Sequence, residues 1–307
     1  MSRRRADKAL RPRTAGPRPA GGDRRRAGLG GEQVEGRHAV HELLAAGSRE
    51  VHEVVVAAGQ DGSAGLEAVI ALARAAGVPL LSVSPQDLRA IARTEAPQGV
   101  IARAAPIEPV DIDSLVAENR GRDPARAADG GTPFIVVVAG VTDPRNLGAI
   151  LRSAVGAGAT GAVLARHRAT HLTPAAVKSA AGAVEYLPIA LVPGIAQALT
   201  ILKARGVWTV GLDAGGECSL DELEIAAEPL AIVVGAEGKG LTPLIKRRCD
   251  FCCRIPLHGP VESLNVSVAA AIALFAIASR RQGAGARAWQ GLAGGRRGSS
   301  RARGGGP

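Results

Sequence analysis

The sequence predicts an α/β protein of two units, and three observations carry that reading. Between Phe134 and about Ser279, apolar runs of strand length alternate with stretches of helical periodicity across short connections, the pattern of a parallel sheet covered on both faces. A shorter segment, Glu32 to Pro106, alternates in the same way. Between the two, residues 107–133 contain Arg120-Gly-Arg-Asp-Pro124 and Asp129-Gly-Gly-Thr-Pro133, a linker composition.

In the first unit, His38-Ala-Val-His-Glu-Leu-Leu44 opens a helix and Val51 to Val56 is a strand. Leu66 to Ala75 is a helix closed by Gly77, and Val78 to Val83 is a strand. Ser84-Pro85 supplies an N-cap and a proline at the first helical position for a short helix, and Gly99 to Ala102 returns as a strand. In the second unit, strands are expected at 134–139, 161–165, 186–191, 207–212, 230–234 and 253–257, with helices near 147–156, 174–181, 194–205, 241–248 and 265–279. Thr173-Pro174 repeats the cap-then-proline signal, and Ile195, Ala198, Leu199 and Leu202 form a helical stripe.

The 307 residues carry a formal charge of +10, which sits in the ends of the chain. Residues 1–31 are net +8 and residues 280–307 net +7, which leaves the body at −5. Both segments are rich in Gly, Ala, Arg and Pro, so residues 1–31 and 281–307 are expected to be disordered basic tails. Such arms either touch phosphates without reading sequence or merely keep the protein soluble. Pro12, Pro17 and Pro19 oppose the amphipathic helix of a mitochondrial transit peptide. No stretch has the roughly 18 apolar residues of a membrane span and no signal-peptide run opens the chain, so a soluble cytoplasmic protein without a membrane partner is expected. Cys249-x-x-Cys252 has the spacing of half a zinc site, but the other half is missing. No metal is therefore expected, and Cys218, Cys249, Cys252 and Cys253 read as buried free thiols.

Two phosphate-loop patterns fail on context. Gly156-Ala-Gly158-Ala-Thr-Gly161 leaves a helix and enters a strand, the reverse of a dinucleotide fingerprint, and reads as a tight turn. In Gly235-Ala-Glu-Gly-Lys-Gly240 the lysine is followed by glycine where a magnesium-binding hydroxyl belongs. Three strand-end stretches nevertheless suggest one shared site: the Gly235–Gly240 loop, Ile255 to Ser263 leading into Leu264-Asn265, and the helix after Phe134–Ala139. On that helix Leu147, Ile150, Leu151 and Ala154 form the core stripe, while Gly148, Ala149, Arg152 and Gly156 share an open face of small residues and one guanidinium. Ser263 and Asn265 also fit as plain N-caps.

Asn146-x-Gly148-x-x-x-Arg152, Gly235-Ala-Glu237-Gly238-x-Gly240 and Ile255-Pro-Leu257…Ser263-Leu264-Asn265-Val-Ser267 resemble, in order and spacing, the three motifs of the SpoU (TrmH) family of RNA ribose 2′-O-methyltransferases. Val34-x-Gly36-x-His38-Ala-Val40 is similar to the start of the substrate-binding domain in the branch that methylates a guanosine of large-subunit (23S) rRNA. The resemblance covers about residues 32–280. It implies an N-terminal substrate-binding α/β domain (32–106) and a C-terminal knotted methyltransferase domain (134–280) with S-adenosylmethionine as methyl donor. Gly235, Gly238, Ile255, Leu257, Leu264, Leu212 and Gly215 would line the cofactor site. The site residues it implies are Arg152, Asn146, Glu237, Asn265 and Ser263, with Glu237 and Asn265 as polar organisers. Arg152 corresponds to the arginine read in the family as a general base; a guanidinium, with a pKa above about 12, equally suits fixing a phosphate and stabilising a developing alkoxide. Asn146 would orient Arg152 or the ribose. Arg37, His38 and Arg145 are the implied RNA contacts, with rRNA or a pre-ribosomal particle as partner and a homodimer through the knot domain. Rival readings are a transfer-RNA ribose methylase, an antibiotic-resistance rRNA methylase, a non-catalytic RNA-binding assembly factor and a dinucleotide-dependent oxidoreductase.

Overall fold

The computed structural model describes residues 28–59, 63–117, 132–166 and 171–295; most of the expected N-terminal tail, residues 118–131 and the end of the expected C-terminal tail from 296 lie outside these. The first unit is a four-stranded sheet, β1 (Gln33–Glu35), β2 (Val51–Ala57), β3 (Leu80–Val83) and β4 (Val100–Ala104), in the order β1-β4-β2-β3. Helices α1 (Arg37–Ala46), α2 (Ala64–Ala75) and α3 (Pro85–Ile91) cover it, the last capped by Ser84 as its sequence requires. Only β2 and β3 are parallel; β4 runs antiparallel to both of its neighbours.

The second unit is a seven-stranded sheet in the order β7-β6-β5-β10-β8-β11-β9, every pair of it parallel. Its strands are β5 (Phe134–Val138), β6 (Gly161–Ala165), β7 (Ile189–Val192), β8 (Trp208–Leu212), β9 (Cys218–Ser219), β10 (Leu230–Val234) and β11 (Phe251–Arg254). Alternation sorts the side chains onto two faces. Phe134, Val136, Val138, Ile232 and Val234 pack against helices α5 (Pro144–Gly156), α6 (Pro174–Ser179) and α9 (Val266–Gly295). Ile135, Val137, Ala231 and Val233 pack on the other side, against α7 (Ile195–Ala204) through its expected stripe. Burial on both faces explains why β5 and β10 read as unbroken apolar runs. Helix α8 (Pro243–Arg248) begins at the cap Thr242.

Three boundaries differ from expectation. Residues 107–117, read as linker, are built into the second unit: Val110 donates its N–H to Ile189 at 2.9 Å and pairs with Ala190, and α4 (Ile112–Ala117) lays Leu115 over Gly161. Leu29, placed in the N-terminal tail, is fully buried, donates to the carbonyl of Ile107 and accepts from the N–H of Leu172, both at 3.0 Å. At the other end α9 runs on to Gly295 instead of stopping near 280. Arg280 bonds the carbonyls of Leu220, Asp221 and Leu223, and Arg281 those of Ala226, Thr132, Pro133 and Glu228 while lying 4.7 Å over the Phe134 ring. Composition missed these because one leucine or two arginines carry little weight in a Gly/Arg-rich window.

The two units share one apolar core, in which Val34, Val40 and Leu43 of the first meet Leu172, Val177 and Val184 of the second. Polar contacts fasten the same seam. Arg49 forms a two-pronged ion pair with Glu185, at 2.8 and 2.9 Å, with side chains 8% and 1% exposed. The Tyr186 hydroxyl donates to Glu42 at 2.6 Å, an anionic partner that pushes the tyrosine pKa up to about 12. The first unit is therefore held in a fixed orientation beside the second.

Candidate active site

The site is assembled at the carboxyl ends of β10, β8 and β11, three neighbouring strands, and at the start of α5, which follows β5. Helix α5 starts where its sequence says it should: the Asp143 side chain accepts the N–H of Arg145 at 2.8 Å and Pro144 occupies the first position. Its first turn brings half-buried Asn146 to Glu237, in the loop after β10. That loop is a tight hairpin in which Ala236 and Gly240 exchange backbone hydrogen bonds at 3.1 and 3.0 Å. A Cβ on Gly235 would lie 2.3 Å from the Gly240 carbonyl carbon, so only glycine fits there.

Glu237 accepts hydrogen bonds from the N–H groups of Thr142 and Asp143, both at 3.3 Å, and from Asn146 Nδ2 at 3.1 Å. Partial burial alone would raise its pKa, but these donors outweigh it and hold the carboxyl below its ordinary range. Asn146 Oδ1 in turn accepts from Asn265 Nδ2 at 3.2 Å. Asn265 Oδ1 takes the Ser267 N–H at 2.8 Å and its hydroxyl at 2.6 Å, capping α9. This chain of donors fixes which way each amide points. One hydrogen-bonded line thus joins the three polar stretches that the sequence singled out.

Two expected members stand outside it. Ser263 is exposed and makes no hydrogen bond among the described residues. Arg152 lies six positions after Asn146, about 120° away around the helix, and is exposed with no polar partner among the described residues. Asn146 is therefore committed to Glu237 and Asn265 and does not orient Arg152. The open face of small residues is also corrected: a Cβ on Gly148 would lie 2.3 Å from the Ala176 carbonyl oxygen and 2.6 Å from Ser179 Cβ, so Gly148 is where α6 crosses α5. Gly156 instead faces Phe275 of α9. The turn Gly156–Gly161 joins a helix to a strand, with Gly158 at φ 78°, as read from its order.

Around this line stand the expected cofactor walls. Leu212, Ile255 and Leu264 are half-buried, Leu257 is exposed, and Gly235 is buried in the hairpin. Gly215 donates to Asp213 at 3.0 Å, and Asp213 pairs with Lys246 at 2.7 Å. A Cβ on Gly216 would overlap the backbone of Cys253 and Arg254, and Arg254 bonds the Gly216 carbonyl at 2.8 Å. Sequence reasoning passed over Thr142, Asp143, Asp213 and Arg254; the cap position of Asp143 before Pro144 was the one available signal. All four cysteines read from sequence as free thiols, whereas Cys218 and Cys253 form a disulfide between β9 and β11. Cys249 and Cys252 are free and half-buried, burial pushing the Cys249 thiol up to about 12.

Of the RNA candidates, His38 and Arg145 are exposed, and Arg145 lies 4.0 Å from Glu95. Arg37 is partly engaged, its N–H and Nε bonding the side chain and carbonyl of Gln98 at 3.1 and 3.0 Å.

The SpoU rRNA Methylase family model matches residues 133–275, and the model for RNA 2′-O ribose methyltransferase substrate binding matches residues 33–110. A 23S rRNA (guanosine-2′-O-)-methyltransferase RlmB of Coxiella burnetii is 34% identical over 252 residues, 82% of this chain and 96% of that protein. The chain belongs to the SpoU family. A tRNA/rRNA methyltransferase of Mycobacterium ulcerans is similar at 36% identity over 82% of this chain and 78% of that one. The solved SpoU methyltransferase AviRb from Streptomyces viridochromogenes, in complex with AdoMet, superposes with a TM-score of 0.66 at 25% identity, covering 81% of this chain and 89% of that one. The chain is thus an RNA ribose methyltransferase of SpoU type, and RNA is its partner. Among the described residues no cluster of His, Cys, Asp or Glu is arranged to hold a metal, and no helix is long and apolar enough to cross a membrane.

Proposed function

We propose that this SpoU enzyme methylates the ribose 2′-hydroxyl of a guanosine in 23S rRNA, using S-adenosylmethionine. The hydrogen-bonded line Glu237–Asn146–Asn265 carries the reading, because it ties together the ends of the loops that would wall a cofactor. The residues fit that molecule: Gly235 and Gly216 leave no room for a Cβ, and half-buried Leu212, Ile255 and Leu264 stand at the same strand ends, so main-chain groups and apolar walls of the kind a flat adenine takes are at hand. When bound, the cofactor supplies an electrophilic methyl group on a sulfonium whose leaving group is a neutral thioether.

The chain's own contribution is to position and to stabilise charge. Asn146 and Asn265, locked by Glu237 and Ser267, hold the loop ends in register. Arg152, a guanidinium facing solvent, stabilises the developing alkoxide and the neighbouring phosphate. We read the passage of residues 251–266 past the 213–230 segment as a trefoil knot, supported by the crowding of Gly216 on Cys253 and by Arg280 and Arg281 closing over residues 220–228. A homodimer is supported by the exposed apolar strip Val268, Ile272 and Phe275 on α9, beside a groove of about 460 Å³ between that helix and residues 155–158. Arg152 lies on the strip of α5 next to this face.

The test is incubation with methyl-labelled S-adenosylmethionine and unmodified 23S rRNA or bulk tRNA, followed by nucleoside analysis. Labelled 2′-O-methylguanosine from rRNA alone is the expected outcome. Label from tRNA alone would keep the reaction and replace the substrate.

A further inference from the structure

We propose that the segment Arg93–Gly99 of the N-terminal unit is a rigid shelf that seats the RNA strand entering the site, and that Glu35 is the residue that positions it. The inference rests on the methyltransferase reading and adds to it the element of the first unit that meets the substrate.

Location comes first. The shelf spans the seam between the units: Lys178 of α6 bonds the Thr94 hydroxyl at 3.5 Å and the Ala96 carbonyl, and Glu95 lies 4.0 Å from Arg145. Arg145 immediately precedes Asn146, and Ser179 donates to the Arg145 carbonyl at 2.9 Å. The shelf therefore abuts the first turn of the helix that carries Asn146 and Arg152.

Its construction is that of a presenting surface. Glu35 is wholly buried, yet its carboxylate has no cationic partner among the described residues; it accepts from the N–H of Arg93 at 2.6 Å, the N–H of Thr94 at 3.0 Å, Gln33 Nε2 at 2.7 Å and the Thr94 hydroxyl. A carboxylate taken out of water this completely is costly unless its bonds fix something. At the far end Gln98 is held at φ 57°, a left-handed conformation unusual for a side-chain-bearing residue, by its two bonds from Arg37. Between these anchors the loop buries only Pro97, while Arg93, Glu95, Ala96 and Gln98 face solvent. A loop pinned from beneath with almost no core of its own is organised for what its outer face touches. Arg93 on that outer face, and Arg145 and Arg152 on the adjoining helix α5, are exposed guanidinium groups suited to phosphodiesters. Glu95 is the one acid on the shelf, and its loose contact to Arg145 gives way to a phosphate.

The experiment compares Glu35→Gln, Arg93→Ala and a charge control, Arg89→Ala, on the exposed side of α3, as full-length proteins. RNA affinity is read by filter binding across a salt series, cofactor affinity by calorimetry, and kcat and KM by methyl transfer. Arg93→Ala should weaken RNA binding about tenfold and flatten the log–log salt slope by about 0.7 to 0.9, with Arg89→Ala unchanged. Glu35→Gln, which offers an amide N–H to backbone donors, should raise the KM for RNA about tenfold with kcat within threefold and cofactor affinity unaltered. Equal effects of Arg93→Ala and Arg89→Ala, or a parallel loss of cofactor binding and kcat in Glu35→Gln, would overturn the shelf. RNA binding is measured without turnover, so failure of the wild-type protein to methylate any RNA would count against the functional reading alone.

Discussion

At the scale of single residues, the proposed site separates groups that hold from a group proposed to act. Asn146 and Glu237 hold: each hydrogen bond between them is satisfied within the protein. Arg152 has its guanidinium in solvent, available to RNA. Arg152→Ala should therefore lower kcat about 10² to 10³-fold, as loss of a charge-stabilising donor does, with cofactor affinity measured by calorimetry nearly intact; equal loss of both would contradict the role. For Glu237 the sign of the pH effect follows from its depressed pKa. The bound carboxylate stabilises the fold above its unfolded pKa near 4.5, and that stabilisation is lost as pH falls through the lower folded value. Melting curves of the wild type and Glu237→Gln should differ at pH 7 and converge as pH falls below 4.5 and through the lower folded value.

Elements are positioned by close approach as much as by apolar stripes. Helices α5 and α6 meet at Gly148, where even a methyl group would strike the Ala176 carbonyl. Gly148→Ala should cost about 1–3 kcal/mol in urea unfolding and displace the first turn of α5, which carries Asn146. Measured stability equal to wild type would show that the crossing is loose. From sequence, Gly148 reads as an opening for a ligand, because a small residue beside a core stripe looks the same whether a substrate or a neighbouring helix lies against it. Asn265 reads from sequence as a cap or a site residue; in the structure it caps α9 and also bonds Asn146.

On the scale of the whole molecule, the two units form one body through a shared core and the Arg49–Glu185 pair. Arg49→Ala leaves Glu185 buried and unpaired and should destabilise by about 3–5 kcal/mol, whereas replacing both by apolar residues should recover much of the loss; denaturant titration distinguishes the two. A second copy is the proposed cover for Val268, Ile272 and Phe275. Phe275→Asp should give a folded monomer by light scattering, with methyl transfer lost along with the dimer.

Local signals determined a large part of this protein. Cap-and-proline pairs placed α3 and α6, unbroken apolar runs placed β5 and β10, and Asn146, Glu237 and Asn265 were singled out by their resemblance to the SpoU motifs. Other features depend on what lies far away in the chain. Leu29 beneath Leu172, the helix within the supposed linker, the Cys218–Cys253 pair and the arginines folded back over residues 220–228 and 132–133 have no local signature. Periodicity reports which face of an element is apolar; which neighbour covers that face is decided by the packing of elements tens to hundreds of residues apart.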